Sequence, residues 1–137
     1  MIVYVDHSDI HEGRLEELRG GIRRLVDLIE EQEPRLIAYG FHLDEDAGRM
    51  TVTAVHPDSA SLELHLEIGK EEFGKLGHMI TLREIEVYGS ISEKARGMLE
   101  QKASMLGRSV VTVTERFSGF ARTPQPSDWS DRPASPG

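Results

Sequence analysis

The chain has no cysteine among its 137 residues, which excludes a disulfide framework and every form of thiolate chemistry. That absence fits a reducing compartment, and the cytoplasm is the expected location. Positive charge is also scarce. Sixteen Lys and Arg against 24 Asp and Glu leave a net charge of -8 and a pI near 5.2, so there is no basic field to draw in phosphate backbones or anionic lipid. Neither nucleic acid nor a membrane surface is expected as a partner. Long apolar runs are missing too: the longest, residues 36–43, falls far short of the roughly 20 residues that cross a bilayer. The N-terminus has no basic segment ahead of an apolar stretch and so carries no signal peptide pattern.

The familiar catalytic motifs are equally absent. There is no G-x-S-x-G elbow and no H-E-x-x-H pair. Residues 69–76 approach a phosphate-binding loop but place Leu76 where a magnesium-binding hydroxyl belongs, and Glu71 and Glu72 would repel phosphates. His7 and His11 are four apart but straddle a strand end and a helix start, so the spacing does not define a metal pair, and no metal site is expected.

What the chain does have is a strand–helix–strand pattern that occurs twice. The first unit runs from an apolar strand at 2–5, whose unbroken apolar run reads as buried on both faces, through an amphipathic helix to a strand at 36–43. The second runs from a strand at 50–56 through a helix within 58–76 to a strand at 82–88. Leu15, Leu18, Ile22, Leu25 and Ile29 recur at intervals of three and four and form the buried stripe of the first helix, which ends before Pro34. Asp9 and Glu12 have capping-box spacing for its start, and Asp58 is placed to cap the second helix. Leu62, Leu66, Phe73 and Leu76 mark that second stripe. Polar residues 44–48 read as a hairpin turn.

This duplication predicts an α+β domain with a ferredoxin-like βαββαβ antiparallel sheet and its helices on one face, extended by a third helix and a fifth strand within residues 90–117. Residues 118–137, rich in Pro and Ser with a lone Trp129, read as a tail that is flexible or docks on a partner. The second strand is apolar at both parities, with Ile37, Tyr39, Phe41 and Leu43 on one side and Leu36 and Ala38 on the other. An edge strand with one wet face does not read this way. A second copy packed sheet against sheet, giving a dimeric α+β barrel, is the expected explanation.

Two histidines stand out as candidate proton-transfer groups. His65 lies three residues after Leu62 and leans toward the cleft between helix and sheet, while His42 is on the second strand at the parity opposite Tyr39 and Phe41. Tyr39, Phe41 and Phe73 are the candidate wall around a flat ligand; as plain core packing they would need none.

Glu33-Pro34, Tyr39-Gly40-Phe41, Asp44-Glu45-Asp46, the run from Val55 through Ala60 that includes His56 and Asp58, Leu62 with His65-Leu66, and Phe73 together resemble the antibiotic biosynthesis monooxygenase-like proteins. The resemblance spans roughly residues 1–90. It implies a small dimeric α+β barrel that oxidises aromatic, polyketide-like phenols or quinols with dioxygen, using neither metal nor flavin. It further implies His65 or His42 as the base, and Tyr39, Phe41, Phe73 and His56 as substrate-binding residues. The chain departs from the pattern at Glu72, where the family commonly has another histidine, and at His56, where a large aromatic is frequent. The other reading of the same residues is a non-catalytic homodimer, either binding a small hydrophobic ligand or acting as an accessory protein.

Overall fold

A computed structural model describes residues 1–107 and 109–122. Chain order is β1 (Ile2–Ile10), α1 (Leu15–Gln32), β2 (Ala38–Asp44), β3 (Arg49–His56), α2 (Ser59–Lys75), a 3-10 turn (Leu76–His78), β4 (Ile80–Tyr88), α3 (Glu93–Leu106) and β5 (Val110–Thr114). The five strands form one sheet in the order β2-β3-β1-β4-β5. β1 is antiparallel to β3 and β4, β2 is antiparallel to β3, and β5 joins parallel to β4. This is the ferredoxin-like arrangement with β1 and β3 inside, widened by the α3–β5 unit. Trp129 and most of the tail lie outside the described residues. Phe117 and Phe120, just before them, are exposed. No helix among the described residues is long and apolar enough to cross a membrane.

Each helix adds to a single core. Leu18, Leu25 and Ile29 of α1, Leu62, Leu66 and Phe73 of α2, and Ala95, Leu99, Ala103 and Leu106 of α3 are buried against Ile2, Tyr4, Met50, Val52, Ala54, Leu82, Ile85 and Val87 of the sheet. Asp58 caps α2 as its position predicts, its carboxylate accepting from the Ser61 amide at 2.9 Å. Ser92 caps α3 in the same way at 3.0 Å from the Ala95 amide. Gly21 is buried on α1, where a Cβ would come into ordinary contact with Leu76 and Met79.

Three local expectations are corrected. β1 is nine residues long and buried on one face only, through Ile2, Tyr4, Asp6 and Ser8, because helices cover just one side of the sheet. Asp9 is not a helix cap. It stays in the strand, paired with Arg83, since ladder bonds to β3 and β4 on both sides extend β1 beyond the local signal; α1 begins at Leu15 with no side-chain cap. Finally, Leu36 precedes β2 and packs on the core, so the uncovered parity of that strand is Ala38, Gly40, His42 and Asp44. The apolar character of the open sheet face comes instead from half-buried Val3, Val5 and Val55 and exposed Tyr88 and Val110.

Gly107 ends α3 where a Cβ would meet the Leu82 carbonyl oxygen at 2.5 Å, whereas Gly97 inside α3 has nothing within 4 Å. Gly107→Ala is expected to destabilise the protein by about 1–3 kcal/mol through overpacking. Gly97→Ala should stabilise it by up to about 1 kcal/mol through helix propensity. Urea unfolding of the two variants checks both signs.

Candidate functional site

Strand alternation aims every second side chain of β1, β2 and β3 at the helices. In register, Tyr4 and Tyr39 pair with Ala54 from its two sides, and Asp6 and Phe41 pair with Val52 in the same way. Onto this layer α2 lowers His65 and Phe73, α1 ends at Glu33, and α3 contributes Lys102. The result is a buried polar seam through an otherwise apolar core.

At one end of the seam, Glu33 and His65 are both almost fully buried. The His65 Nδ1 lies 3.1 and 3.0 Å from the two Glu33 carboxylate oxygens. With Nδ1–H donating to the carboxylate, Nε2 keeps its lone pair. The His65 ring meets Tyr39 edge-on at 5.0 Å, His56 at 5.4 Å and Phe73 at 5.5 Å between centroids. His56, fully buried, shares a 2.9 Å hydrogen bond with Ser61 through Nδ1. Its Nε2 has no partner among the described residues.

Burial sets the charge states. It pushes the Glu33 carboxyl up to about 7. It pulls His65 down to about 3, assisted by the positive charge of Lys102, and His56 to about 3, assisted by His65. The imidazoles are therefore neutral at ordinary pH, and Glu33 is the group of the three poised to exchange a proton near neutrality. Glu33 and Tyr39 also line a cleft of about 330 Å³ between α1 and β2, walled by Val26, Ile29, Pro34 and Leu36. That is within the size range of small-molecule sites.

At the other end, Tyr4 Oη donates to Asp6 Oδ2 at 2.5 Å. Lys102 Nζ donates to Tyr4 Oη at 2.9 Å and to Asp6 Oδ2 at 3.4 Å, with its ammonium 4.2 Å from the Phe73 ring centre. Burial raises the Tyr4 pKa, an effect the Asp6 charge reinforces. It lowers that of Lys102, which Asp6 opposes.

Of the residues the sequence singles out, His65, His56, Tyr39, Phe41 and Phe73 converge here. His42 does not: its parity puts it on the open face of the sheet, exposed, with Nε2 3.1 Å from Thr53 Oγ1. His7 and His11 also part company. His11 contacts His78 and Thr81, while His7 bonds Glu86 at 2.8 Å and, with Glu84 and Glu86, brings donor atoms within 4.8 Å of one another on the open face. Sequence reasoning missed Glu33 as a site residue, along with Asp6, Ser8 and Lys102. A signal existed for Lys102, a charge set on the apolar stripe of Ala95, Leu99 and Leu106, and for Asp6 and Ser8, polar residues at the parity of Ile2 and Tyr4.

No protein-family model matches the chain, and no curated protein does. Solved structures do. MupZ from Pseudomonas fluorescens superimposes with a TM-score of 0.70 at 21% identity, covering 92% of this chain and 95% of that one. A conserved protein from Methanosarcina mazei Go1 gives 0.57 at 21% identity, over 64% and 89%. A structure named antibiotic biosynthesis monooxygenase gives 0.54 at 21% identity, over 64% and 93%. The last two likenesses span about two thirds of this chain, whereas that to MupZ is too broad to leave out the C-terminal helix and strand. This chain thus has the ferredoxin-like α+β fold of the antibiotic biosynthesis monooxygenase-like proteins.

Proposed function

We propose that this protein is a homodimeric enzyme that oxidises an aromatic phenol or quinol with dioxygen, with a buried proton acceptor in place of a redox cofactor. The observation that carries this reading is Glu33, a carboxyl pushed by burial up to about 7, held by His65 and belonging to the wall of a ligand-sized cleft. Its ionised form removes a proton from the bound substrate, leaving a delocalised carbanion or phenolate. That anion gives one electron to dioxygen, and recombination forms a carbon–oxygen bond. The peroxide takes back the proton held by Glu33, and the hydroperoxide so formed collapses with loss of the remaining hydrogen on that carbon, leaving a carbonyl on the substrate and releasing the second oxygen as water.

In this scheme His65 is the positioning residue rather than the base. Its N–H favours the carboxylate form of Glu33 and opposes the effect of burial. Tyr39 lines the cleft, and Phe41 packs edge to face against it at 5.1 Å between ring centres. A second reading, ligand binding without turnover, is supported by the same cleft of about 330 Å³, which it needs without a titrating base. The homodimer is supported by the half-buried valines of β1 and β3 on a sheet face that no helix among the described residues covers.

Oxygen uptake with anthrone and quinol substrates is expected in the wild-type protein. The rate should rise with pH through about 7 as Glu33 ionises. Glu33→Gln should lose about 100-fold or more, the usual scale of general-base catalysis, together with that inflection. His65→Ala should move the inflection to higher pH, because the carboxylate loses its donor. Unchanged rates in Glu33→Gln would remove it from the mechanism.

Stability follows with its own sign. The folded Glu33 pKa of about 7 is above the ordinary 4.5, so its contribution is fully present below pH 4.5 and lost as pH rises through 7. Glu33→Gln should therefore melt higher than wild type at pH 8, with the gap shrinking toward pH 5 in a thermal scan.

Light scattering at micromolar concentration should give twice the 15.4 kDa chain mass. A monomer would rule out the sheet-to-sheet barrel.

A further inference from the structure

β4 does not keep the alternation of an ordinary strand. Leu82 is buried on the helix side, yet Ile85, three residues on, is buried there too, and the two residues between them are both exposed. The register with β1 shows why: His7 pairs with Glu84 and Ser8 with Leu82, so Arg83 is an extra residue with no partner on β1. Such a bulge re-aims the side chains that follow it. Without it, Glu84 and Glu86 would share the buried parity of Leu82 and face the helices. With it, both carboxylates stand on the open face beside His7.

These three side chains form a mixed donor set. One donor atom from each of His7, Glu84 and Glu86 lies within 4.8 Å of the others, and His7 Nε2 is 2.8 Å from Glu86 Oε1. Groups outside the set hold two of its members. Thr51 Oγ1 lies 3.3 Å from His7 Nδ1, and Tyr88 Oη donates to Glu86 Oε2 at 2.5 Å. Outer hydrogen bonds of this kind orient metal-binding imidazoles and carboxylates. His7, Thr51 and Glu84 also line a cleft of about 460 Å³ on that face, which gives an ion a way in.

We propose that His7, Glu84 and Glu86 bind a Zn²⁺ ion on the open face of the sheet, through His7 Nε2 and one oxygen of each carboxylate. One imidazole and two carboxylates suit zinc, which takes both nitrogen and oxygen donors. Mg²⁺ and Ca²⁺ prefer oxygen throughout, so the imidazole discriminates against them. With bonds of about 2.0–2.1 Å, donors on a tetrahedral zinc sit about 3.3 Å apart. The His7–Glu86 contact opens slightly to admit the ion, and rotation of the exposed Glu84 side chain closes the rest. The ion takes the lone pair of Nε2, so the ring hydrogen resides on Nδ1 and donates to Thr51 Oγ1. All three donors come from one chain, and the sheet separates them from Glu33 and His65. The site therefore needs neither a second copy nor the proposed reaction.

The test is titration calorimetry of the chelator-treated full chain with ZnCl2, compared with MgCl2 and CaCl2. One Zn²⁺ per chain is expected, bound about 100-fold or more tightly than Mg²⁺ or Ca²⁺. His7→Ala should weaken Zn²⁺ by about tenfold or more. Glu84→Gln should do the same without disturbing the fold, because Glu84 is exposed. His11→Ala, which removes a histidine outside the set, should leave the affinity unchanged. Excess Zn²⁺ should raise the melting temperature of the wild type and of His11→Ala well above any rise in Glu84→Gln.

Absence of Zn²⁺ binding, an affinity no better than that for Ca²⁺, or binding that survives both His7→Ala and Glu84→Gln undiminished would overturn the site.

Discussion

A carboxylate at the centre of the sheet has to be answered from across the core. Asp6 sits on the helix-facing side of the central strand, 3% exposed, and a buried charge without a partner is among the most expensive features a small domain can contain. Lys102 supplies the countercharge and Tyr4 the hydrogen bond between them. Removing one member of such a pair costs about 3–5 kcal/mol, because the other is left stranded. The position of α3 is therefore tied to β1 by electrostatics as well as by the packing of Leu99 and Leu106. This ties the C-terminal helix to the core of the ferredoxin-like unit.

The same burial divides labour along the seam. Desolvation disfavours whichever form of a group is charged, so it discharges His56 and His65 and raises Glu33 into the neutral range. A histidine on an apolar helix stripe looks like the natural base, yet in this setting it becomes a neutral donor that orients a carboxylate. At the other end, burial pulls the Lys102 pKa down and the neighbouring Asp6 opposes that pull.

The sheet has two unlike faces, and the difference follows from where the helices lie. All three cover one side. The other presents valines from β1 and β3 alongside Thr51, Thr53, His42, His7 and Glu86, a mixture of apolar strips and polar edges. His7 is already paired across the strands with Glu86. A partner on this face would have to satisfy those polar groups as well as cover the valines, a condition met most simply by a self-complementary surface.

Local signals carried much of the fold. The three-and-four spacing of α1, the Asp58 cap and the turn at 44–48 each depend on residues within one turn or one strand, and each is where the sequence puts it. The duplicated unit fixed the strand order for the same reason. Tyr39, Phe41, His65 and Phe73 were legible as inward-facing because parity and helical phase are local properties. What tertiary structure alone decided is which inward-facing groups meet. Glu33 joins His65 across 32 residues and Lys102 joins Asp6 across 96, and no periodicity encodes a pairing between elements that are brought together only when the core closes. The length of β1 belongs with these, since hydrogen bonds from two neighbouring strands outweighed a cap pattern of a few residues. The charge states follow in turn: a pKa is set by desolvation, and desolvation exists only once the helices have covered the sheet.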